Sequence, residues 1–195
     1  LFDVSLEVKA GEVILLTGGN GSGKSTLLKC IYNLLPLWSG EIWFEGERID
    51  GLKPSDLIRK GIVYIPQKDF CFENLTVEEN LQIAGTIYPK AELNSRIAKA
   101  YKQTGLEPFK KRKPFNLSGG EKKLLAFGMG LIHEPKFLLT DEPFAGVDNK
   151  RADQIIALFN EHFLKNDIGV IIVEHKEKVA NLYSIKKQME LGQIK

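Results

Sequence analysis

This sequence predicts an α/β fold: a mainly parallel sheet core, a small antiparallel β subdomain and an inserted helical subdomain. Three observations carry the prediction. Short apolar runs recur along the chain with helical stretches between them, one stretch alternates in part, and the middle of the chain turns to a helical period. The runs are Val13-Ile14-Leu15-Leu16, Ile62-Val63-Tyr64-Ile65, Phe137-Leu138-Leu139 and Val170-Ile171-Ile172-Val173. None alternates with polar residues, so each strand is expected to be covered on both faces. The helical stretches supply the crossovers that parallel strands require.

The segment Glu41-Ile42-Trp43-Phe44-Glu45-Gly46-Glu47 alternates in part and ends at a turn residue, which predicts a peripheral antiparallel strand. From Glu92 to Thr104, Leu93, Ile97, Ala100 and Tyr101 fall at helical spacing, and Gly105 stands where a helix stops. Residues 70–133 therefore read as a helical subdomain inserted into an α/β core formed by 1–69 and 134–195. The basic run Lys110-Lys111-Arg112-Lys113 reads as a solvated loop or as a contact for an anionic partner or lipid surface.

Bulk properties exclude several classes. A net charge of +2 makes no polyelectrolyte case for a nucleic-acid partner, and none is expected. The two cysteines, Cys30 and Cys71, form neither a metal-ligand spacing nor a disulfide framework, which suits a reducing compartment. No apolar run approaches the roughly 18 residues that a membrane span needs. A membrane role would have to come through a partner.

The chemistry is carried by local motifs. Gly18-Gly19-Asn20-Gly21-Ser22-Gly23-Lys24-Ser25-Thr26 fits the phosphate-loop pattern G-x-x-x-x-G-K-[ST], with an apolar strand before it and a helical stretch after it. Glycines let backbone N–H groups curl around phosphate oxygens. The following helix points its positive end at the same anion. Candidate phosphate-binding residues are Gly18, Asn20, Gly21, Ser22, Gly23, Lys24, Ser25 and Thr26. Lys24 can reach the β- and γ-phosphates and Ser25 can ligate Mg²⁺. Phe137-Leu138-Leu139-Thr140 ends in Asp141-Glu142, two acids where ligands bind in such sheets. Asp141 is expected to hold Mg²⁺ and Glu142 to orient the attacking water. Ser118-Gly119-Gly120-Glu121, before the helical stretch Lys122–Phe127, is a capping box and a second candidate anion site.

At this point the sequence resembles the ABC (ATP-binding cassette) ATPases, across essentially its whole length. Their signature is usually LSGGQ, and Glu121 stands in the last place here. The resemblance implies a P-loop NTPase fold with a RecA-like core, and further site residues. Gln67 matches a glutamine that contacts Mg²⁺ and water, Asp148 lies in a loop that couples two sites, and His175 matches a histidine that contacts the γ-phosphate. Catalytic residues would thus be Glu142, Gln67 and His175. Metal contacts would come from Ser25, Gln67 and Asp141. The resemblance also implies two such domains meeting head to tail, with ATP between the phosphate loop of one and Ser118, Gly119 and Gly120 of the other. An integral membrane transporter subunit is the implied partner, with this chain on the cytosolic face of the membrane.

The sequence departs from the family pattern in places. Gly19 stands where Pro is common, and Leu124 and Met129 stand where arginine is common. Leu1-Phe2-Asp3-Val4-Ser5 resembles the strand that follows the family's adenine-stacking aromatic, so a truncated N-terminus is expected and no stacking residue is assigned. Asp141–Asp148 and Asn74–Leu81 are similar to ATPases of branched-chain amino-acid importers and lipopolysaccharide export, which suggests a bacterial protein. The alternative is a soluble ABC ATPase of the iron–sulfur-assembly or ribosome-associated type. If a membrane subunit docks, the groove near Gln67 to Leu81 is expected to receive it, with Phe70, Cys71 and Phe72 either lining that groove or packing in the core.

Overall fold

A computed structural model of the chain describes residues 1–68, 70–174, 182 and 184–195. The main sheet has the strand order β4-β5-β6-β1-β7-β8, with β1 Val13–Thr17, β4 Ile62–Ile65, β5 Phe137–Asp141, β6 Gly169–Val173, β7 Ile185–Glu190 and β8 Gln193–Ile194. All neighbours are parallel except β7 and β8, which form a hairpin.

Successive side chains on a strand point to opposite faces, and both faces here are covered. Val13, Leu15, Val63, Ile65, Leu138, Val170 and Ile172 join one cluster with Leu81, Leu124, Phe127, Ile155 and Phe159. Ile14, Leu16, Ile62, Leu139, Ile171 and Val173 join the other with Leu27, Leu28 and Leu57. This two-sided burial is why the four runs are apolar without alternation. The first face is covered by α3 (Val77–Ala84), α4 (Lys90–Thr104), α5 (Gly119–Leu131) and α6 (Asn149–Leu158). The second is covered by α1 (Lys24–Ile31) and α2 (Pro54–Arg59).

Helix ends follow their caps. Thr76 and Glu79 form a reciprocal capping box at α3. α4 ends at Gly105, whose left-handed φ of 68° costs glycine no Cβ clash. The buried Asn80 accepts from Phe72 N–H and donates to the carbonyls of Phe72, Leu75 and Thr76, clasping the loop before α3. Phe70 and Cys71 pack against the first cluster, whereas Phe72 is 53% exposed. The basic run is exposed and tied to α3: Val77 N–H donates to the Arg112 carbonyl, Glu78 N–H to that of Lys110, and Lys111 pairs with Glu78.

Two expectations need correction. The stretch 41–47 is not one strand: β2 (Trp43–Phe44) and β3 (Glu47–Arg48) make a two-stranded antiparallel sheet of their own, because Glu45 and Gly46 take positive φ and reverse the chain. Leu1–Ser5 forms no strand, although Val4 packs on the second cluster.

Candidate functional site

Loop 18–23 joins β1 to α1, and Gly18, Gly21 and Gly23 all have positive φ. Gly18 has no alternative residue: a Cβ there would stand 2.2 Å from the Met189 carbonyl oxygen of β7. Asn20 and Gly21 are exposed at the crest, Ser22 is buried, and Thr26 is exposed on the first turn of α1. That turn carries no acid to neutralise the helix's positive end. Lys24 is buried, and its ammonium donates to the carbonyls of Gly18 at 2.9 Å and Gly19 at 2.8 Å and to Ser22 Oγ at 3.3 Å. The loop is thus wrapped around a cation. Burial lowers the Lys24 pKa, against the opposing pull of Glu142 and Asp141.

Those two acids come from the end of β5. Asp141 is 4% exposed, and its Oδ1 has no hydrogen-bond partner. Burial raises its pKa above the usual carboxylate value, while a hydrogen bond from Ser25 works against the rise. Glu142 follows with φ of 47°, an unusual conformation for a residue with a side chain, and its N–H donates to the Val173 carbonyl at 2.8 Å. Gln67, two residues past β4, donates from Nε2 to Glu142 Oε2 at 2.5 Å. The structure therefore brings together Lys24, Ser25, Gln67, Asp141 and Glu142 from three strand ends.

Ser118, Gly119, Gly120 and Asp148 form a second group, at the starts of α5 and α6. Ser118 caps α5, its Oγ accepting from Glu121 N–H at 3.2 Å while Glu121 Oε2 accepts from Ser118 N–H at 2.8 Å. Asp148 caps α6 through Arg151 N–H at 3.0 Å. Ser118, Gly119 and Asp148 are exposed. His175 lies outside the described residues.

Two residues not singled out by sequence stand at the site. Lys123 is 4% exposed, donates from Nζ to the Gln67 carbonyl at 2.8 Å, and lies 5.2 Å from the Phe70 ring centroid. Burial lowers its pKa, opposed by Asp141, Glu142 and Glu174. Glu174, also buried, accepts from Phe144 N–H at 3.2 Å and so braces the turn after Glu142. No local signal marks Lys123, because its neighbour Lys122 reads the same yet pairs with Glu73 at the surface.

A glycine loop closed on a lysine beside an acid-tipped strand defines a P-loop nucleotide hydrolase. The family described as ABC transporter matches residues 1–145. LivF of Archaeoglobus fulgidus, a probable branched-chain amino acid transport ATP-binding protein, is 39% identical over 95% of this chain and 78% of its own length. BraG of Pseudomonas aeruginosa, a high-affinity branched-chain amino acid transport ATP-binding protein, is 37% identical over 92% of this chain and 77% of its own. A solved ATP-binding cassette of an ABC transporter in its ADP conformation superposes with a TM-score of 0.85 at 33% identity, covering 98% of this chain and 82% of that one. A dimeric cassette in a post-hydrolysis state bound to ADP and phosphate gives 0.88 at 26% identity, covering 98% and 87%. The chain belongs to the ABC transporter family and is one of its ATP-binding and ATP-hydrolysing cassettes.

Proposed function

We propose that this chain binds Mg²⁺-ATP at a head-to-tail dimer interface and hydrolyses it to drive an integral membrane transporter subunit from the cytosolic face. The observation that carries the reading is the convergence of Lys24, Ser25, Asp141 and the Gln67–Glu142 pair on one point. Backbone N–H groups of Gly18–Ser25 receive the phosphates, with Asn20, Gly21 and Thr26 at the loop's open side. Lys24 exchanges loop carbonyls for phosphate oxygens. Glu142, held by Gln67, orients and polarises the attacking water, and His175 contacts the γ-phosphate. Ser118, Gly119 and Gly120 serve the partner's nucleotide, and Asp148 links the two sites.

The residues present suit a hard divalent ion. Asp141 Oδ1 is a buried oxygen without a partner, and the Ser25 hydroxyl is beside it. Phosphate and water would complete the shell around these oxygens, as Mg²⁺ prefers. Ser25, Asp141 and Gln67 would hold the ion, which supplies charge neutralisation at the β- and γ-phosphates.

Residues 70–133 are proposed to act as the helical subdomain that relays the nucleotide state. Among the described residues no helix is long and apolar enough to cross a membrane. The transport roles in the relatives' names support a transporter motor over a soluble ATPase. The test is twofold. Lys24→Ala should abolish phosphate release from Mg²⁺-ATP. Purification of the full-length protein from detergent-solubilised membranes should bring a stoichiometric membrane subunit. Recovery with soluble partners alone would overturn the transporter reading and leave the ATPase chemistry standing.

A further inference from the structure

We propose that the Glu121–Arg151 ion pair is a positioning device that fixes the Ser118–Gly120 segment against the Asp148 turn, so that the two reach a partner domain as one rigid unit. The inference rests on the head-to-tail reading above and deepens it.

Glu121 is 9% exposed, and its two oxygens are committed to different donors. Oε2 accepts Ser118 N–H at 2.8 Å, and Oε1 accepts Arg151 Nη2 at 2.7 Å. Arg151 is held in turn. Its own N–H donates to Asp148 Oδ1 at 3.0 Å, and Nη1 donates to Gln154 Oε1 at 2.6 Å. One carboxylate thus ties the cap of α5 to the cap of α6. The side chains of the pair are 11% and 21% exposed, so solvent screens the contact poorly.

The backbones are equally close. A Cβ on Gly120 would stand 2.5 Å from Arg151 Cβ, and one on Gly119 would stand 2.7 Å from the Gly146 carbonyl oxygen. Both glycines are therefore required by the neighbouring turn as well as by any bound anion.

The acid at position 121 follows from the donor count. Both contacts are N–H donors, and a carboxylate offers an acceptor oxygen to each. A glutamine, usual at this place in the family, has one acceptor oxygen and one donor NH₂. It would set donor against donor at one of the two contacts. The chain's departure from LSGGQ and its arginine at 151 are thus one arrangement.

The test uses the full chain carrying Glu142→Gln, which should hold ATP without turning it over. Dimerisation with Mg²⁺-ATP is followed by sedimentation, and nucleotide binding by titration below the dimerisation range. Arg151→Met keeps the aliphatic stem against Gly120 and removes the charge. It should weaken dimerisation about tenfold, in the range for a poorly screened ion pair, with nucleotide binding unchanged within about twofold. Adding Glu121→Gln to Arg151→Met should cost nothing further, because the shared contact is already gone. Should Arg151→Met fail to fold, Arg151→Lys decides: it loses the fork and keeps the charge, and about a threefold weakening is expected. Dimerisation at the parental level in a folded Arg151 variant, or fully additive losses in the double variant, would overturn the proposal. A Glu142→Gln parent that stays monomeric with ATP would overturn the dimer reading, and this inference with it.

Discussion

Glu142→Gln separates the chemistry of this site from its binding. The replacement has the same size, and its carbonyl oxygen can still accept from Gln67 Nε2, which now donates to Glu142 Oε2 at 2.5 Å. The backbone N–H bond to Val173 is untouched, and the φ of 47° is equally unfavourable for both residues. Lys24 keeps its three acceptors in the loop. Asp141 keeps its own charge and loses a like-charged neighbour that helps raise its pKa. Stability should therefore stay within about 1 kcal/mol of the parent. On the proposed function the loss is of the carboxylate that polarises water, a contribution of about 10²–10⁴ in rate. That factor corresponds to about 3–5 kcal/mol on the barrier. The assay is phosphate release with Mg²⁺-ATP alongside gel filtration with labelled ATP. Phosphate release should fall at least about a hundredfold, within that same range, while ATP stays bound. Turnover within a few-fold of the parent would refute the assignment of Glu142 as the water-orienting group.

Phe127→Ala should destabilise by about 3–5 kcal/mol in urea titration, because the ring is fully buried and meets Phe159 edge-on at 5.4 Å; a loss below about 1 kcal/mol would refute its place in the core. His133 has its pKa pushed down to about 4, by burial first and by Arg96 second. The unfolded chain takes up that proton near pH 6.5, so stability is intact above this pH and falls as pH drops toward 4, by up to about 3 kcal/mol. A His133→Gln variant should flatten that slope, and an unchanged slope would refute the attribution. Phe72→Glu should leave thermal stability within about 0.5 kcal/mol, as at other exposed positions, and abolish stimulation of hydrolysis by a membrane subunit. Unfolding of that variant would show that Phe72 is a packing residue.

The parts of the site that sequence made legible are those whose chemistry is local. The phosphate loop needs its glycines, lysine and serine within nine consecutive residues, and a capping box needs its two members three apart. The buried strands were legible for a related reason. With both faces covered, every position is apolar, and the run stands out without any knowledge of its neighbours. Lys123 and Arg151 were not legible. Each acts through a partner brought near by tertiary packing, 56 residues away at Gln67 and 30 away at Glu121. Lys122 and Lys123 are chemically identical in the sequence, and only the position on α5 turns one outward to Glu73 and the other inward to the Gln67 carbonyl.

The corrected elements make the same distinction between pattern and pairing. Val4, Leu6 and Val8 are half-buried against the second cluster, while Ser5 and Glu7 between them are exposed. Period-two burial is the property that a strand pattern reports. Ladder hydrogen bonds are a separate property, and they depend on a neighbour that the pattern does not name. The segment keeps the first without the second. At 41–47 the opposite holds: Trp43 pairs with Arg48 and Phe44 with Glu47, yet only Phe44 turns partly inward. There the turn residues Glu45 and Gly46 decide the structure, and the side-chain alternation has little say. Hydrophobic period thus locates a chain against the core, and turn chemistry sets what it bonds to. Asp141 and Glu142 profit from both, since β5 is fixed by burial along its length and Glu142 by the left-handed backbone at its exit.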